Sequence, residues 1–336
     1  MPSTSQTSPR RVAFLMLTYN QASLVRESAL ACLAQECEPL DIIFSDDASK
    51  DNTYEVLQEI AREYKGPHNL IVRRNEKNAG IGEHFNILIA SFQNELFIAS
   101  AGDDISLPNR TAALIKAWDD SGQKADLISS HCKQMAYNGT VGRQVNTDDL
   151  STVTPQQWLI KRPYIIGATH AFTRRLHTRF GPFSSDLTGE DQIMTFRAMC
   201  AGGGVTVNEA LVLYRDGGIS RRPDEMMPAE QLAWIRKVNR IDVAEMRQII
   251  KDADTAGYGQ LARERFQDKL NRAVFMKDIL DHSTWKPMLA ISRRHPDVPF
   301  FWRHKKIITT LFHEPYAVFQ KHNQARRQFV RRLRGR

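Results

Sequence analysis

Two adjacent carboxylates, Asp103 and Asp104, end the apolar run of LFIASAGDDISLP at residues 96–108. Like charges side by side repel, so the pair is a poor strand end on stability grounds alone. Hard carboxylate oxygens suit Mg²⁺ or Mn²⁺, ions that take one or two protein carboxylates and complete their shell with substrate phosphates. The pair therefore predicts a metal–diphosphate site at which the ion neutralises charge on a departing phosphate. The same letters also suit a structural turn before the helix that follows Pro108, with Asp104 bonding its own backbone.

Two other acidic clusters could do chemistry. Asp46-Asp47-Ala48-Ser49 offers acceptors to a base or ribose, while Ser49 or Asp51 suits the cap of the next helix. Gly189-Glu190-Asp191 offers a general base for an attacking hydroxyl, or carboxylates that meet a helix dipole. Three letters alone prefer neither reading.

The elements that must position these groups are legible around them. RVAFLMLTYN and LDIIFSDDAS are short continuous apolar runs that stop at polar residues, the pattern of strands buried on both faces. NLIVRRN and ELFIAS read as a third and fourth strand. Helices alternate with them: residues 23–35, with Val25, Ala29, Cys32 and Leu33 on one face; a second with Val56, Leu57, Ile60 and Tyr64; and NAGIGEHFNILIASF, a Gly-containing loop entering a third. This alternation predicts βαβ units and a doubly wound α/β sheet. In such sheets ligands bind outside the carboxyl ends of the strands, so TYN, SDDAS and SAGDD should converge on one crevice.

Farther along, residues 125–146 read as strands around a Tyr-Asn-Gly turn at 137–139, and IIGATHAFTRRL as a strand entering a helix or turn. A helix begins near Glu190, and VTVNEALVLYR reads as a strand pair. Beyond about 228 the periodicity is helical over 229–252, 259–281 and 306–334, with a boundary near 225.

In this order, TYN, SDDASKDNT, NAGIG, SAGDDISLP, GEDQIMTFR and YRDGGIS resemble the family 2 glycosyltransferases of GT-A fold, over roughly residues 11–222. The resemblance implies a Rossmann-like doubly wound mixed sheet over 11–225, after a flexible start at 1–10. A mainly helical region at 226–336 then ends in a basic tail. It implies inverting transfer of a sugar from a nucleotide diphosphate sugar to an acceptor hydroxyl, with Mg²⁺ or Mn²⁺ on the diphosphate. By matching position, Thr18, Tyr19 and Asn20 would line the nucleotide pocket. Asp46 would bond the base, with Asp47 beside it. Asp103 looks like the metal ligand of the family's Asp-x-Asp motif, with Asp104 supporting it at the nucleotide. Asp191 matches the catalytic base, and Glu190 would help shape the acceptor site. The chain departs from the pattern twice: Ala101 stands where many members have the first Asp of Asp-x-Asp-Asp, and Asp216-Gly217-Gly218 follows Tyr214-Arg215 where many have a His. The second departure leaves the third metal contact open. Arg221, with Arg222, could clamp the diphosphate instead, although paired arginines also suit a solvated surface.

Composition bounds the rest. The 336 residues are 42% hydrophobic and 25% charged, ordinary for a globular enzyme. Four cysteines without paired spacing predict reduced thiols and a cytoplasmic setting. No run reaches the ~18–20 apolar residues of a membrane span, and the first ten residues lack the apolar core of an export signal. The net charge of +8 is concentrated in residues 300–336, where ten Lys and Arg face one Glu. Phe329, Val330 and Leu333 sit among those arginines, and Phe300, Phe301 and Trp302 lie upstream. Residues 321–336 therefore suit an anionic membrane surface, here the inner face of the cytoplasmic membrane. The family resemblance implies an acceptor that is a glycan or a lipid-linked glycan, in the synthesis of bacterial surface polysaccharide or lipopolysaccharide. A solvated helix or a loose basic end suits the same letters. His84, His131 and His170 read as core or surface residues and not as ligands. Two rival functions share these residues: a nucleotide-sugar-binding protein without turnover, and a nucleic-acid-binding protein using the tail. The near-neutral body and the lack of a nucleic-acid motif count against the second, and no nucleic-acid partner is expected.

Overall fold

The computed structural model describes residues 11–215 and 228–312. They divide into two compact units, one of residues 11–215 with 251–261, the other of 228–250 with 262–312. The predicted boundary near 225 falls outside the described residues.

The first unit is built on one mixed sheet. β1 (Val12–Thr18) is buried along its whole length, which is why its sequence is apolar without alternation. It pairs in parallel with β2 (Asp41–Asp46) on one side and β4 (Leu96–Ala101) on the other, and β2 pairs in parallel with β3 (Asn69–Arg74). α1 (Val25–Leu33), α2 (Thr53–Glu63) and α3 (Ile81–Ser91) connect these strands in turn. Their buried positions include Val25, Ala29 and Cys32 on α1, Leu57 and Ile60 on α2, and Leu88 and Ile89 on α3. The order β3-β2-β1-β4 makes the chain reverse direction across the sheet between β1 and β4, a topological switch point. The polar ends TYN and SAGDD therefore sit side by side there.

The sheet continues through β8 (Ala171–Thr173), antiparallel to β4, then β6 (Leu127–Met135), antiparallel to β8, then β9 (Gly204–Arg215), parallel to β6. β5 (Ile105–Ser106) closes this edge against β9, and β7 (Val141–Val145) forms a hairpin with β6 around the Tyr-Asn-Gly turn. α4 (Arg110–Asp120), α5 (Pro155–Ile160), α6 (Arg174–Phe180) and α7 (Glu190–Met199) complete the unit. VTVNEALVLYR is one strand and not a pair. The register on β6 runs from Ser130↔Val207 to His131↔Ala210, so Asn208 and Glu209 are accommodated as a bulge where a turn was expected.

α8 (Pro228–Ala256) contributes to both units, and α9 (Gly259–Leu280), α10 (Trp285–Arg294) and α11 (Phe300–Leu311) follow. The second unit has its own apolar cluster of Phe275, Ile279, Met288, Ile291, Val298 and Ile307. The helix expected over 306–334 is described only to Leu311, and the helix at 285–294 is additional. No helix among the described residues is long and apolar enough to cross a membrane.

Candidate active site

The carboxyl ends of β1, β2 and β4 are stitched to one another by backbone. The Asp47 amide donates to the Thr18 carbonyl at 2.9 Å, and the Gly102 amide to the Leu17 carbonyl at 3.1 Å. Asn20, in the left-handed region at φ +53°, accepts from the Lys50 amide through Oδ1 at 2.8 Å while its own amide donates to Ser49 Oγ at 2.8 Å. Ala48 is left-handed as well, at φ +57°, a conformation that costs an alanine about 1 kcal/mol. Thr18 is buried with its hydroxyl on the Ser45 carbonyl, and Tyr19 stands exposed.

The two aspartates of SDDAS are already engaged. Asp46 is fully buried; its carboxylate accepts from the Ser49 amide and hydroxyl and pairs with Arg74 Nε at 3.1 Å. Asp47 clamps the loop ahead of α3: Oδ1 accepts from Asn75 Nδ2 at 2.7 Å and the Ala79 amide at 2.9 Å, and Oδ2 from the Gly80 amide at 3.0 Å. The acceptors expected to meet a base thus first shape the pocket's own walls. Asp51 bonds the first turn of α2 through the Thr53 amide at 3.1 Å and also accepts from the Ala22 amide at 3.0 Å.

Asp103 and Asp104 differ in environment. Asp103 is half-buried; burial pushes its pKa up, opposed by its own amide, by Arg215 and by a hydrogen bond from the Gln21 side chain. Asp104 is buried, and burial followed by the Asp103 charge pushes it up to about 7. Its Oδ1 accepts from the Arg215 amide at 2.9 Å, and the N-cap of α4 is Asn109, whose side chain bonds Glu209 and not the helix. Gly102 lets Gln21 and Thr18 close in beside the pair: a Cβ there would stand 2.5 Å from Gln21 Oε1 and 2.7 Å from Thr18 Cγ2, so one of these side chains would have to shift.

Arg215 holds this corner together. Its Nε donates to the Asp103 carbonyl at 2.8 Å, Nη1 to the Tyr137 carbonyl at 2.9 Å, and Nη2 pairs with Glu27 of α1 at 2.8 Å. Beneath lies Arg110, fully buried and lowered to about 10 by burial, donating to Ser106 Oγ and to the carbonyls of Ala99 and Ala168. His84, His131 and His170 are all buried; His84 bonds Ser45 Oγ, and His131 bonds Asn208 and Thr147.

Asp191 lies in the first turn of α7, where Oδ1 accepts from the Gln192 amide at 2.7 Å. Glu190 beside it is pushed up to about 8, by burial first and the Asp191 charge second. Burial and its charged neighbour thus favour the protonated form of Glu190. Tyr214 connects the two halves of the site: burial raises its pKa, and Asp104, Asp103 and Asp191 all raise it further. Thr18, Asn20, Asp46, Asp47, Asp103 and Asp104 are therefore brought to one set of strand ends, with Asp191 within electrostatic reach of Tyr214. Arg221 and Arg222 lie outside the described residues. Gln21, Glu27, Arg215 and Tyr214 were not singled out by spacing; only Gln21, directly after TYN, and Tyr214-Arg215, inside a quoted fragment, carried a signal.

A divalent ion fits this corner by one observation: Asp104 is destabilised as an anion by burial and by Asp103, a penalty that a cation would relieve. Among the described residues no group of three or more His, Cys, Asp or Glu side chains could hold a metal ion, so most of its shell would come from substrate and water.

The family model for glycosyl transferase family 2 matches residues 14–180. An uncharacterized glycosyltransferase of Rickettsia felis is 26% identical over 139 residues, 41% of this chain and 22% of that protein. The chain spans about a quarter of the length of the first curated relatives it matches, 22–27%. Residues 1–349 of S. aureus TarS, in complex with UDP-GlcNAc, superpose with a TM-score of 0.53 at 15% identity over 94% of this chain and 92% of that one. The mannosyltransferase PcManGT from Pyrobaculum calidifontis, in complex with GDP-Man and Mn²⁺, gives 0.51 at 15% identity over 94% and 88%. At that identity the likeness is one of fold. Matched from the core of β1 to the end of α6, and folded as those two transferases are, the chain belongs to the family 2 glycosyltransferases, with a GT-A fold.

Proposed function

We propose that the protein is an inverting glycosyltransferase that moves a sugar from a nucleotide diphosphate sugar to an acceptor hydroxyl. The observation that carries the reading is the convergence of Asp103–Asp104 with the TYN and SDDAS ends at the switch point, with Glu190–Asp191 at a helix start. UDP-GlcNAc and GDP-Man in the structural neighbours support a nucleotide sugar as donor, and Mn²⁺ in one of them supports a divalent ion. Thr18, Tyr19, Asn20, Asp46 and Asp47 would form the nucleotide end of the crevice, with Arg221 on the diphosphate.

In the reaction, Asp191 takes the proton of the acceptor hydroxyl as its oxygen bonds to the anomeric carbon. The carbon–oxygen bond to the diphosphate breaks from the opposite face, and the nucleoside diphosphate leaves with the electron pair. Glu190 beside it is favoured in its protonated form by burial and by the Asp191 charge. Asp103 and Asp104 would hold Mg²⁺ or Mn²⁺, which supplies charge neutralisation on the leaving diphosphate. Holding both substrates in one crevice supplies proximity. The acceptor proposed is a glycan or lipid-linked glycan of bacterial surface polysaccharide or lipopolysaccharide, met on the cytoplasmic side of the membrane.

The deciding experiment is transfer by Asp191→Asn with a panel of nucleotide sugars, beside calorimetry of nucleoside diphosphate binding with Mn²⁺. Turnover should fall by about 10²–10⁴-fold with binding retained. Near-normal turnover would remove Asp191 from the base role, and binding without transfer in the parent protein would leave a nucleotide-sugar-binding protein.

A further inference from the structure

α11 is apolar on two sides. Its inward side chains are Ile307, which is buried, and Trp302 and Leu311, packed on the cluster of Phe275, Ile279, Met288, Ile291 and Val298. Its outward side chains are also large and apolar: Phe300 is 58% exposed, Phe301 87%, Ile308 57%, and Phe312 just past the helix 61%. Phe301, Ile308 and Phe312 are spaced at i, i+7 and i+11, one face of a helix, and exposed Lys305 falls on the same row at i+4. A helix at a protein surface ordinarily turns charge outward, so this arrangement is inverted.

The charge around that face has one sign. Residues 300–312 contain Arg303, Lys305 and Lys306 and no acid, and the sequence continues over 313–336 with seven further Lys and Arg against one Glu. Three features thus coincide: exposed aromatic and aliphatic side chains, cations interleaved with them, and a basic continuation. We propose that the outer face of α11 rests in the interfacial layer of an anionic lipid membrane. Phe301, Ile308 and Phe312 would enter the acyl boundary while Lys305 stays at the headgroups. A nucleic acid would use the cations but gains nothing from Ile308 and Phe312. The surface is not the Phe-Phe-Trp triplet that the sequence suggests. Trp302 is turned inward, with Arg272 at 5.5 Å and Lys306 at 5.4 Å over its ring.

The test is sedimentation of the full chain with vesicles of phosphatidylcholine, with and without phosphatidylglycerol, in low and high salt. Binding should require phosphatidylglycerol. Combined Phe301→Ser, Ile308→Ser and Phe312→Ser should lower the partition coefficient by about tenfold or more, given the apolar area withdrawn. Lys305→Glu should weaken it by at least a few fold. Nucleoside diphosphate binding and thermal midpoint serve as folding controls; if the triple variant does not fold, Phe301→Ser alone carries the test. Sedimentation unchanged by the apolar substitutions would assign the binding to other basic residues and overturn the proposal. So would absence of binding, a shift from oligomer to monomer in the triple variant, or the same variant losing affinity for RNA. None of these readouts requires turnover, so the result stands apart from that of the Asp191 experiment.

Discussion

Arg215 anchors Asp104 with its backbone and Asp103 with its side chain: its amide meets Asp104 Oδ1 at 2.9 Å and its Nε meets the Asp103 carbonyl at 2.8 Å. The last residue of β9 therefore fixes the Asp104 carboxylate and the Asp103 backbone, 111 and 112 residues upstream. Its remaining nitrogens are spent on Tyr137 and Glu27, so the guanidinium acts through position and not on a substrate. Arg215→Lys keeps the charge but cannot serve three directions at once. Stability should fall by about 1–3 kcal/mol, because two part-buried carbonyls lose a charged donor. Calorimetry should show Mn²⁺-dependent nucleoside diphosphate affinity falling about tenfold, while metal-free nucleotide binding changes less. Equal losses with and without Mn²⁺ would make the role general packing.

Stability should respond to pH through Asp104 and Glu190, raised to about 7 and about 8. The unfolded chain releases these protons near pH 4, whereas the folded chain keeps them. The folded state thus binds more protons between roughly pH 4 and 8, and these groups lose stability as pH rises through that window. In chelator, the thermal midpoint of Asp104→Asn should gain on the parent from pH 5 to pH 8, by on the order of several °C. Glu190→Gln should show the same sign, extending about one pH unit higher. Mn²⁺ should stabilise the parent more at pH 8 than at pH 5, since at low pH it must displace the Asp104 proton. A midpoint difference independent of pH would mean that Asp104 is ionised throughout.

Much of this architecture is legible in the amino-acid sequence, and the reason is burial. β1, β2 and β4 lie inside the sheet with both faces covered, so their residues are apolar without interruption and stop where the crevice starts. β5 and β8, of two and three residues, are too short to carry a period. β9 read as two strands because Asn208-Glu209 looks like a turn, and only its partner β6 makes it a bulge. In the site, the acidic types announced themselves, but their engagement did not. Whether Asp46 is free for a base depends on Arg74, and whether Asp104 caps α4 depends on Arg215, contacts set by the fold and not by neighbours in the chain.

The helix that carries Asp191 is held at its far end by a buried ion pair. Arg197 Nε donates to Asp252 Oδ2 at 2.7 Å and Nη2 to Oδ1 at 3.2 Å, with both side chains fully buried. Arg197 Nη1 also reaches the Gly181 carbonyl at 2.9 Å, and Phe183 lies under the guanidinium. Asp252→Ala should cost about 3–5 kcal/mol, because a buried cation is left uncompensated. Arg197→Met combined with Asp252→Leu should recover much of that loss. Denaturant unfolding of the two variants checks this, and a double variant no more stable than Asp252→Ala would show that the pair is needed for more than mutual neutralisation.

Gly167 sets how close Asp191 can approach the strand ends. It opens the short turn Gly167–Thr169 before β8, and a Cβ there would stand 2.9 Å from Asp191 Cβ and 3.4 Å from Asp191 Oδ2. The first distance is shorter than real Cβ contacts tolerate, so one partner must give by a few tenths of an ångström. The turn is the stiffer of the two. The Ala168 carbonyl is held by buried Arg110 at 2.7 Å, and the His170 carbonyl accepts from the Ala99 amide of β4 at 2.9 Å. Asp191, at the first turn of its helix, should therefore be the one displaced in Gly167→Ala. Displacement of a base on that scale should lower kcat by about 10–100-fold. Donor affinity should hardly change, because the atoms nearest to a Cβ at Gly167 are all those of Asp191. Steady-state transfer kinetics alongside calorimetry of the nucleoside diphosphate separate the two effects. Lost donor affinity with an unchanged kcat would place Asp191 at the donor and not at the acceptor hydroxyl.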